Sequence, residues 1–209
     1  MRNEKHLNQL SLRHMISLIS GRRLFGKHRQ PDPELWHQSF IEHLASIVKP
    51  RVYVELGVHR CDLFNRVIPY ARQLVGVDID PQSADFMAKS DKVNFVNSTT
   101  DEYAAVLRAQ PISINMLFID ADHSKEAVLR DFWNFFPFVT PHGLILLHDT
   151  HPKSIEFAHA GSYCGDAYKG VEELSRKADE FEMMTIPVHP GLTLCRKRTT
   201  QLSWMERGA

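Results

Sequence analysis

Four hydrophobic runs along the chain each end in a polar residue suited to binding or catalysis. Val52-Tyr53-Val54 leads into Glu55-Leu56-Gly57, and Leu74-Val75-Gly76-Val77 leads into Asp78. Met116-Leu117-Phe118-Ile119 leads into Asp120-Ala121-Asp122-His123, and Leu144-Ile145-Leu146-Leu147 leads into His148-Asp149. Runs this rich in Val, Ile and Leu read as buried parallel strands. Helical patterns fill the intervals, so the spacing predicts an open α/β fold. Helices are expected over 33–47, 62–71, 81–89, 101–109, 124–136 and 170–179. Further strands are expected over 73–78, 93–97, 114–119, 143–148, 181–186 and 192–196. The last two are joined by a Pro187–Gly191 turn and read as a hairpin. In such sheets ligands sit outside the carboxyl ends of the strands, so the four runs aim their acids and histidines at one edge.

Upstream, residues 5–20 place Leu7, Leu10, Leu12, Met15, Ile16 and Ile19 at mostly helical spacing, with Gly21 as a stop. This divides the chain into a basic amphipathic segment (1–33), a main domain (34–199) and a short tail (200–209). An apolar helix face that the sheet does not need is expected to serve as a lid or as a homodimer contact. Charge modifies the picture only locally. Lys and Arg together number 25, as do Asp and Glu, so no global attraction to nucleic acid or to an anionic membrane is expected. Residues 1–30 hold Arg2, Lys5, Arg13, Arg22, Arg23, Lys27 and Arg29 against Glu4 alone. No stretch is long and apolar enough to span a bilayer, and Arg13 and His14 interrupt any signal-like region. Cys61, Cys164 and Cys195 lack metal-like spacing and read as reduced thiols of a cytoplasmic protein.

Four phrases carry a family resemblance: Val-Glu-Leu-Gly-Val-His-Arg-Cys (54–61), Gly-Val-Asp-Ile-Asp-Pro (76–81), Phe-Ile-Asp-Ala-Asp-His-Ser (118–124) and His-Gly-Leu-Ile-Leu-Leu-His-Asp-Thr (142–150). In this order the chain resembles the class I S-adenosylmethionine-dependent methyltransferases. Within them it is similar to the metal-assisted O-methyltransferases of catechol and caffeoyl-coenzyme A type, and to a bacterial branch acting on macrolide sugars and cephalosporin intermediates. The resemblance implies a Rossmann-like, seven-stranded, mostly parallel sheet with a C-terminal antiparallel hairpin and helices on both faces. It also implies a small-molecule acceptor, a phenol or a sugar, whose hydroxyl receives the methyl group.

Gly57 opens the first strand-to-helix turn, where a Cβ would obstruct a close ligand. The family carries a second glycine where this chain has Cys61, which points to a wider turn or weaker cofactor binding. A dinucleotide fingerprint would need glycine at 59 and 62, where His59 and Asp62 stand, and this argues against NAD. The resemblance assigns Asp78 to the ribose hydroxyls and groups Glu55, Gly57 and His59 with it as cofactor-binding residues. Asp80 before Pro81 reads better as a helix cap. Ser98, Thr99, Thr100 and Asp101 would line the adenine, or cap the following helix, or both.

Asp120 is placed by the resemblance as a metal ligand and a cofactor contact, with His148 and Asp149 at the second and third ligand positions. Histidine there departs from the usual acid or amide. Imidazole suits Mn²⁺, Fe²⁺ or Zn²⁺ better than Mg²⁺. The alternative is a hydrogen-bonded polar cluster without metal. His123 stands where metal-dependent relatives place a lysine base, and histidine titrates in the right range for that task. It could also cap the next helix. His151 and His159 are weaker candidates, and Tyr163 and Tyr168 lie in a loop that an acceptor ring could touch. Phe132, Trp133, Phe135 and Phe136 follow helical spacing and read as core. Two rival classes stay open: a metal-independent methyltransferase, in which His123 or Asp120 works alone, and a non-catalytic binding module on the same scaffold.

Overall fold

The computed structural model describes residues 35–159, 161–177 and 180–198. The chain divides into two units, 1–36 and 37–209. The expected helix at 5–20, the lid or dimer role of residues 1–33 and the tail at 200–209 lie outside the described residues.

Strands β1 (Val52–Leu56), β2 (Gln73–Asp78), β3 (Val93–Asn97), β4 (Ile114–Ile119), β5 (Val139–His148), β6 (Phe181–Ile186) and β7 (Leu192–Lys197) form one sheet in the order β3-β2-β1-β4-β5-β7-β6. Strands β1 to β5 pair in parallel, and β7 runs antiparallel between β5 and β6. This is the expected mostly parallel seven-stranded sheet with its antiparallel close. Every residue of β1 is buried, as a strand covered on both faces requires.

Helix α1 (Trp36–Val48) is followed by α2 (Asp62–Val67), α3 (Ser83–Phe86), α4 (Thr100–Ala109), α5 (Lys125–Phe135) and α6 (Ala167–Ser175). One sheet face carries Val52, Val54, Leu56, Val75, Val77, Ile145 and Leu147. It packs against Tyr103 and Leu107 of α4, Phe132 and Phe135 of α5, and Leu174 of α6. On the other face Tyr53 meets Phe64 of α2, with ring centroids 6.2 Å apart, and His148 meets His37 of α1 at 4.0 Å. Alternation along each strand therefore puts Tyr53, Glu55 and His148 on the α1–α2 side.

Several elements differ from the sequence reading for identifiable reasons. Helix α2 stops at Val67 rather than at residue 71, because Pro69 has no N–H to continue it. Helix α3 is one turn instead of the expected 81–89. Its exit is held by Asn65, whose amide donates to the Phe86 carbonyl at 2.9 Å and whose Oδ1 accepts from the Ala88 N–H at 2.8 Å. Strand β5 starts at Val139 rather than 143, since Val139 pairs with Ile114 and Leu144 with Met116. The residues between form a bulge, with His142 at φ +60°. Helix α6 begins three residues before the expected start and ends at Ser175.

Between α4 and α5, Thr100 donates a 2.6 Å hydrogen bond to Asp131, which is 1% exposed. Burial pushes the Asp131 carboxyl up to about 6, against the opposing effects of the Thr100 hydroxyl and Arg130. A carboxyl with a raised folded pKa binds its proton more tightly in the native state. Stability therefore falls as pH rises from the unfolded value toward 6, and the full penalty applies above it. Asp131→Asn keeps an acceptor for Thr100 and removes the ionisation. The variant is expected to gain about 2 kcal/mol over the wild type at pH 7.5 and almost nothing at pH 4, read from urea unfolding at both pH values.

Candidate active site

Strand order reverses between β1 and β4, which are neighbours leading to opposite halves of the sheet. Such a switch point is where open α/β sheets bind ligands. Here the two strand ends are tied together: the Asp120 N–H donates to the Leu56 carbonyl at 2.9 Å. Gly57 sits at φ +83°, and a Cβ on it would collide with the Asp120 carbonyl oxygen and stand 2.6 Å from the Ala121 Cα. The glycine is thus required by the β4 loop itself as well as by any ligand.

Asp78 ends β2 and orders the turns beside it. Its two carboxylate oxygens accept from the backbone N–H of His59 at 2.8 Å and of Asp80 at 2.9 Å. His59 contributes backbone, in the left-handed region at φ +44°. Cys61 adopts φ +57°, the conformation that explains a glycine at this position in relatives. Its buried thiol turns toward the Ser83 carbonyl at 3.4 Å, away from the turn's mouth. Glu55 is also buried and bonds the Tyr53 hydroxyl at 2.5 Å. Burial pushes its carboxyl up to about 8, with the Tyr53 hydrogen bond opposing and the Asp120 charge adding. Asp80 accepts from the Gln82 N–H at 2.9 Å in the turn before α3, but the cap of that helix is Gln82, so Asp80 is not the cap that the sequence suggests.

Thr99 caps α4 in a reciprocal capping box with Glu102: its N–H donates to the Glu102 carboxylate at 2.9 Å, and its hydroxyl accepts from the Glu102 N–H at 3.2 Å. Thr100 points its hydroxyl to Asp131 between the helices. Both threonine hydroxyls are therefore engaged within the protein.

The acids and histidines from β4 and β5 meet as one cluster. His148 Nδ1 lies 2.8 Å from Asp120 Oδ1 and 3.4 Å from Asp149 Oδ2. His123 Nδ1 lies 2.9 Å from Asp149 Oδ2, and its Nε2 lies 3.6 Å from Asp120 Oδ1. Donor atoms of Asp120, His123 and Asp149 all fall within 4.8 Å of one another, a grouping able to hold a metal ion. His148 stands behind them, its ring packed on His37 and edge-on to Phe118. Asp149 is 1% exposed and adopts φ +58°. Its Oδ1 is buried with no hydrogen-bond partner among the described residues. A divalent cation fits that donor set: an imidazole and two carboxylates, one of them with an unsatisfied buried oxygen.

The electrostatics follow from this packing. Burial alone would favour neutral imidazoles, yet the carboxylates outweigh it and raise His123 to about 9 and His148 to about 10. The same contacts overcome burial for Asp149 and hold its carboxyl well below the usual range. Without another cation the cluster is two carboxylates compensated by two imidazolium groups.

His37 escaped the sequence reading, and Cys164 and Tyr163 take part in ways it did not suggest. His37 shares the buried stripe of α1 with Ile41 and Ala45, and that stripe was the available signal. Burial raises the Cys164 thiol to about 12, and the facing Asp149 carboxylate adds to the rise. The Tyr163 carbonyl approaches His123 Nδ1 at 2.9 Å. Gly165 lets this loop lie against His123, since a Cβ there would stand 2.9 Å from His123 Cβ and strike its carbonyl oxygen. Phe132, Phe135 and Phe136 are core, as expected, with Trp133 packed at their edge.

Residues 54–150 match the family model described as "Methyltransferase domain". No curated protein matches the chain by sequence. Among solved structures the chain is similar to cofactor-bound Rv0187 from MTB, with a TM-score of 0.67 and 16% identity over 83% of this chain and 85% of that one. It is similar to an O-methyltransferase from Bacillus cereus in complex with SAH, with a TM-score of 0.65 and 15% identity over 90% of each chain. A third is TomG from Streptomyces achromogenes, an O-methyltransferase involved in tomaymycin synthesis and solved with SAM, with a TM-score of 0.63 and 14% identity over 88% of this chain and 96% of that one. The segment holding all four motifs therefore matches the model of a methyltransferase domain, and the chain shares its fold with solved structures that include O-methyltransferases.

Proposed function

We propose that this chain is an S-adenosylmethionine-dependent O-methyltransferase that acts on a hydroxyl of a small molecule, a phenol or a sugar, with help from a divalent metal. The observation that carries the reading is the convergence of Asp120, His123 and Asp149 beside the Gly57 turn, at the sheet's switch point and within the methyltransferase domain. Solved neighbours of the same fold hold SAM or SAH.

S-adenosylmethionine, when bound, supplies a sulfonium methyl that is already electrophilic. The chain's task is then to align an acceptor oxygen with that methyl and to remove its proton. Alignment alone can be worth about 7–11 kcal/mol in favourable cases. Asp78, fixed by two backbone donors, is assigned to the ribose, and Glu55, Gly57 and His59 to the same cofactor. Thr99 and Thr100 are assigned to the adenine through backbone and methyl groups, their hydroxyls being committed elsewhere.

Mg²⁺, Mn²⁺ or Zn²⁺, when bound, would lower the pKa of the acceptor hydroxyl. Asp120, Asp149 and His148 Nδ1 would hold it. His123 has a side chain 37% exposed, at the mouth where an acceptor oxygen must arrive, whereas the His148 side chain is 7% exposed. A cation on the two carboxylates would remove the contacts that keep His123 protonated, and the exposed ring is then the better base and the buried one the better support. The convergence of His123 with the two carboxylates favours a second reading in which His123 is itself the third metal donor.

Calorimetric titration with S-adenosylhomocysteine tests the cofactor. Wild-type protein should bind, and Asp78→Ala should lose about 1–3 kcal/mol. No heat and no thermal shift at millimolar ligand would overturn the reading. Manganese titration tests the metal: Asp120→Asn should lose Mn²⁺ binding while keeping affinity for S-adenosylhomocysteine. His123→Ala should lower turnover by about 10²–10⁴-fold with Mn²⁺ affinity retained if the ring is the base. Loss of Mn²⁺ affinity in that variant would make it a ligand. Near-native turnover would remove it from both roles.

A further inference from the structure

Helix α1 turns a buried stripe of His37, Ile41 and Ala45 toward the sheet. Ile41 and Ala45 are the apolar side chains that such a stripe exists to bury. His37 is not. It is 4% exposed, and taking a polar ring out of water is costly unless the place makes use of it. The ring meets His148 there, with centroids 4.0 Å apart and planes tilted by 47°. His37 therefore reaches the cluster from a helix that holds none of its acids.

The direction of the His148 ring matters to the cluster. Its Nδ1 lies 2.8 Å from Asp120 Oδ1 and 3.4 Å from Asp149 Oδ2. A histidine that serves a metal commonly fixes its ring through the other nitrogen, by a hydrogen bond to a carboxylate or a carbonyl. His148 lacks that hold: its Nε2 is buried and has no hydrogen-bond partner among the described residues. Aromatic rings stand there instead, His37 against it and Phe118 edge-on at 6.0 Å. The backbone is held as well, since β5 pairs His148 with Leu192 of β7. The bond from Cβ to the ring is the soft one, with a broad, roughly two-fold preference. A half-turn about it would put a ring carbon where Nδ1 stands and aim a C–H at the carboxylates.

We propose that His37 is a positioning residue: its ring, packed on His148, fixes the direction of His148 Nδ1 and so keeps Asp120 and Asp149 arranged for a divalent cation. Ring packing here does what a hydrogen bond to Nε2 does in other metal sites. The consequence for cation binding rests on the metal reading of the cluster. The seat of the His148 ring is a property of the metal-free protein. The role of His37 is the same whether His148 is itself a donor to the cation or stands behind His123 and steadies Asp120.

The test compares full-length His37→Phe, His37→Leu and His37→Ala with wild type, each checked for folding by thermal unfolding. Phe keeps an aromatic face, Leu fills much of the space without one, and Ala removes both. The first readout is the Nδ1–H proton that His148 shares with Asp120. In metal-free protein it should give a downfield, exchange-protected proton resonance, assigned through its loss in His148→Gln. Phe should keep that resonance, and Leu and Ala should broaden or lose it. The second readout is Mn²⁺ binding followed by electron paramagnetic resonance. Leu and Ala should bind Mn²⁺ about tenfold more weakly than wild type, as on loss of an outer-shell partner, and Phe within about twofold of it. Should Ala fail to fold, the contrast between Phe and Leu decides. A wild-type resonance or wild-type Mn²⁺ affinity in His37→Leu overturns the proposal. So does a Phe variant that behaves as Leu does, or the absence of the resonance from wild type. If wild type binds no Mn²⁺, the metal reading falls and the consequence for cation binding with it, while the proton resonance alone upholds or overturns the positioning role.

Discussion

A carboxylate sealed from water has to be answered by positive charge, and Asp149 is sealed. Much of the geometry at this edge of the sheet follows from that demand. His123 and His148 approach the carboxylate from two strand ends, and each is held above its ordinary pKa by doing so. Asp120 shares the same two rings, so the acids of β4 and β5 are coupled through imidazole. The loop that follows β5 closes over the arrangement, with the Cys164 thiol facing Asp149 and Gly165 pressed against His123. A divalent ion would answer the same demand in another way, so a cluster built to balance charge also has the donors to hold metal.

The parallel core was legible because continuous apolar runs that end in a polar residue are local properties of the sequence. Strands β2, β3, β4 and β6 fall at their expected limits. The positions of Asp78, Asp120 and Asp149 were legible for a related reason: a polar residue at the end of a buried run has to emerge at the sheet edge. Helix limits were less legible where a side chain from elsewhere ends the helix. Asn65 terminating α3 is such a case, since nothing in residues 81–89 announces it.

The partners of each site residue were the least legible part. That His148 would pack on His37, more than a hundred positions away, depends on α1 crossing the sheet at that point. That Thr100 would bond Asp131 depends on how α4 and α5 lie together. Cys61 is instructive in the opposite sense. A missing glycine suggested a changed turn, yet the residue takes the left-handed conformation itself and sends its thiol inward. Backbone strain there is an alternative to sequence change, with a typical magnitude of about 1–2 kcal/mol.

The insertion of β7 between β5 and β6 has a consequence for the order in which the protein is made. Strand β5 delivers His148 and Asp149, and its outer edge is covered by residues 192–197, the last strand among the described residues to leave the ribosome. A nascent chain that has already produced all of its cluster residues still carries an open edge beside them. An open edge of this kind invites pairing with another chain. Synthesis therefore presents β5 before the segment that shields it, and during that interval its outer edge is open to pairing.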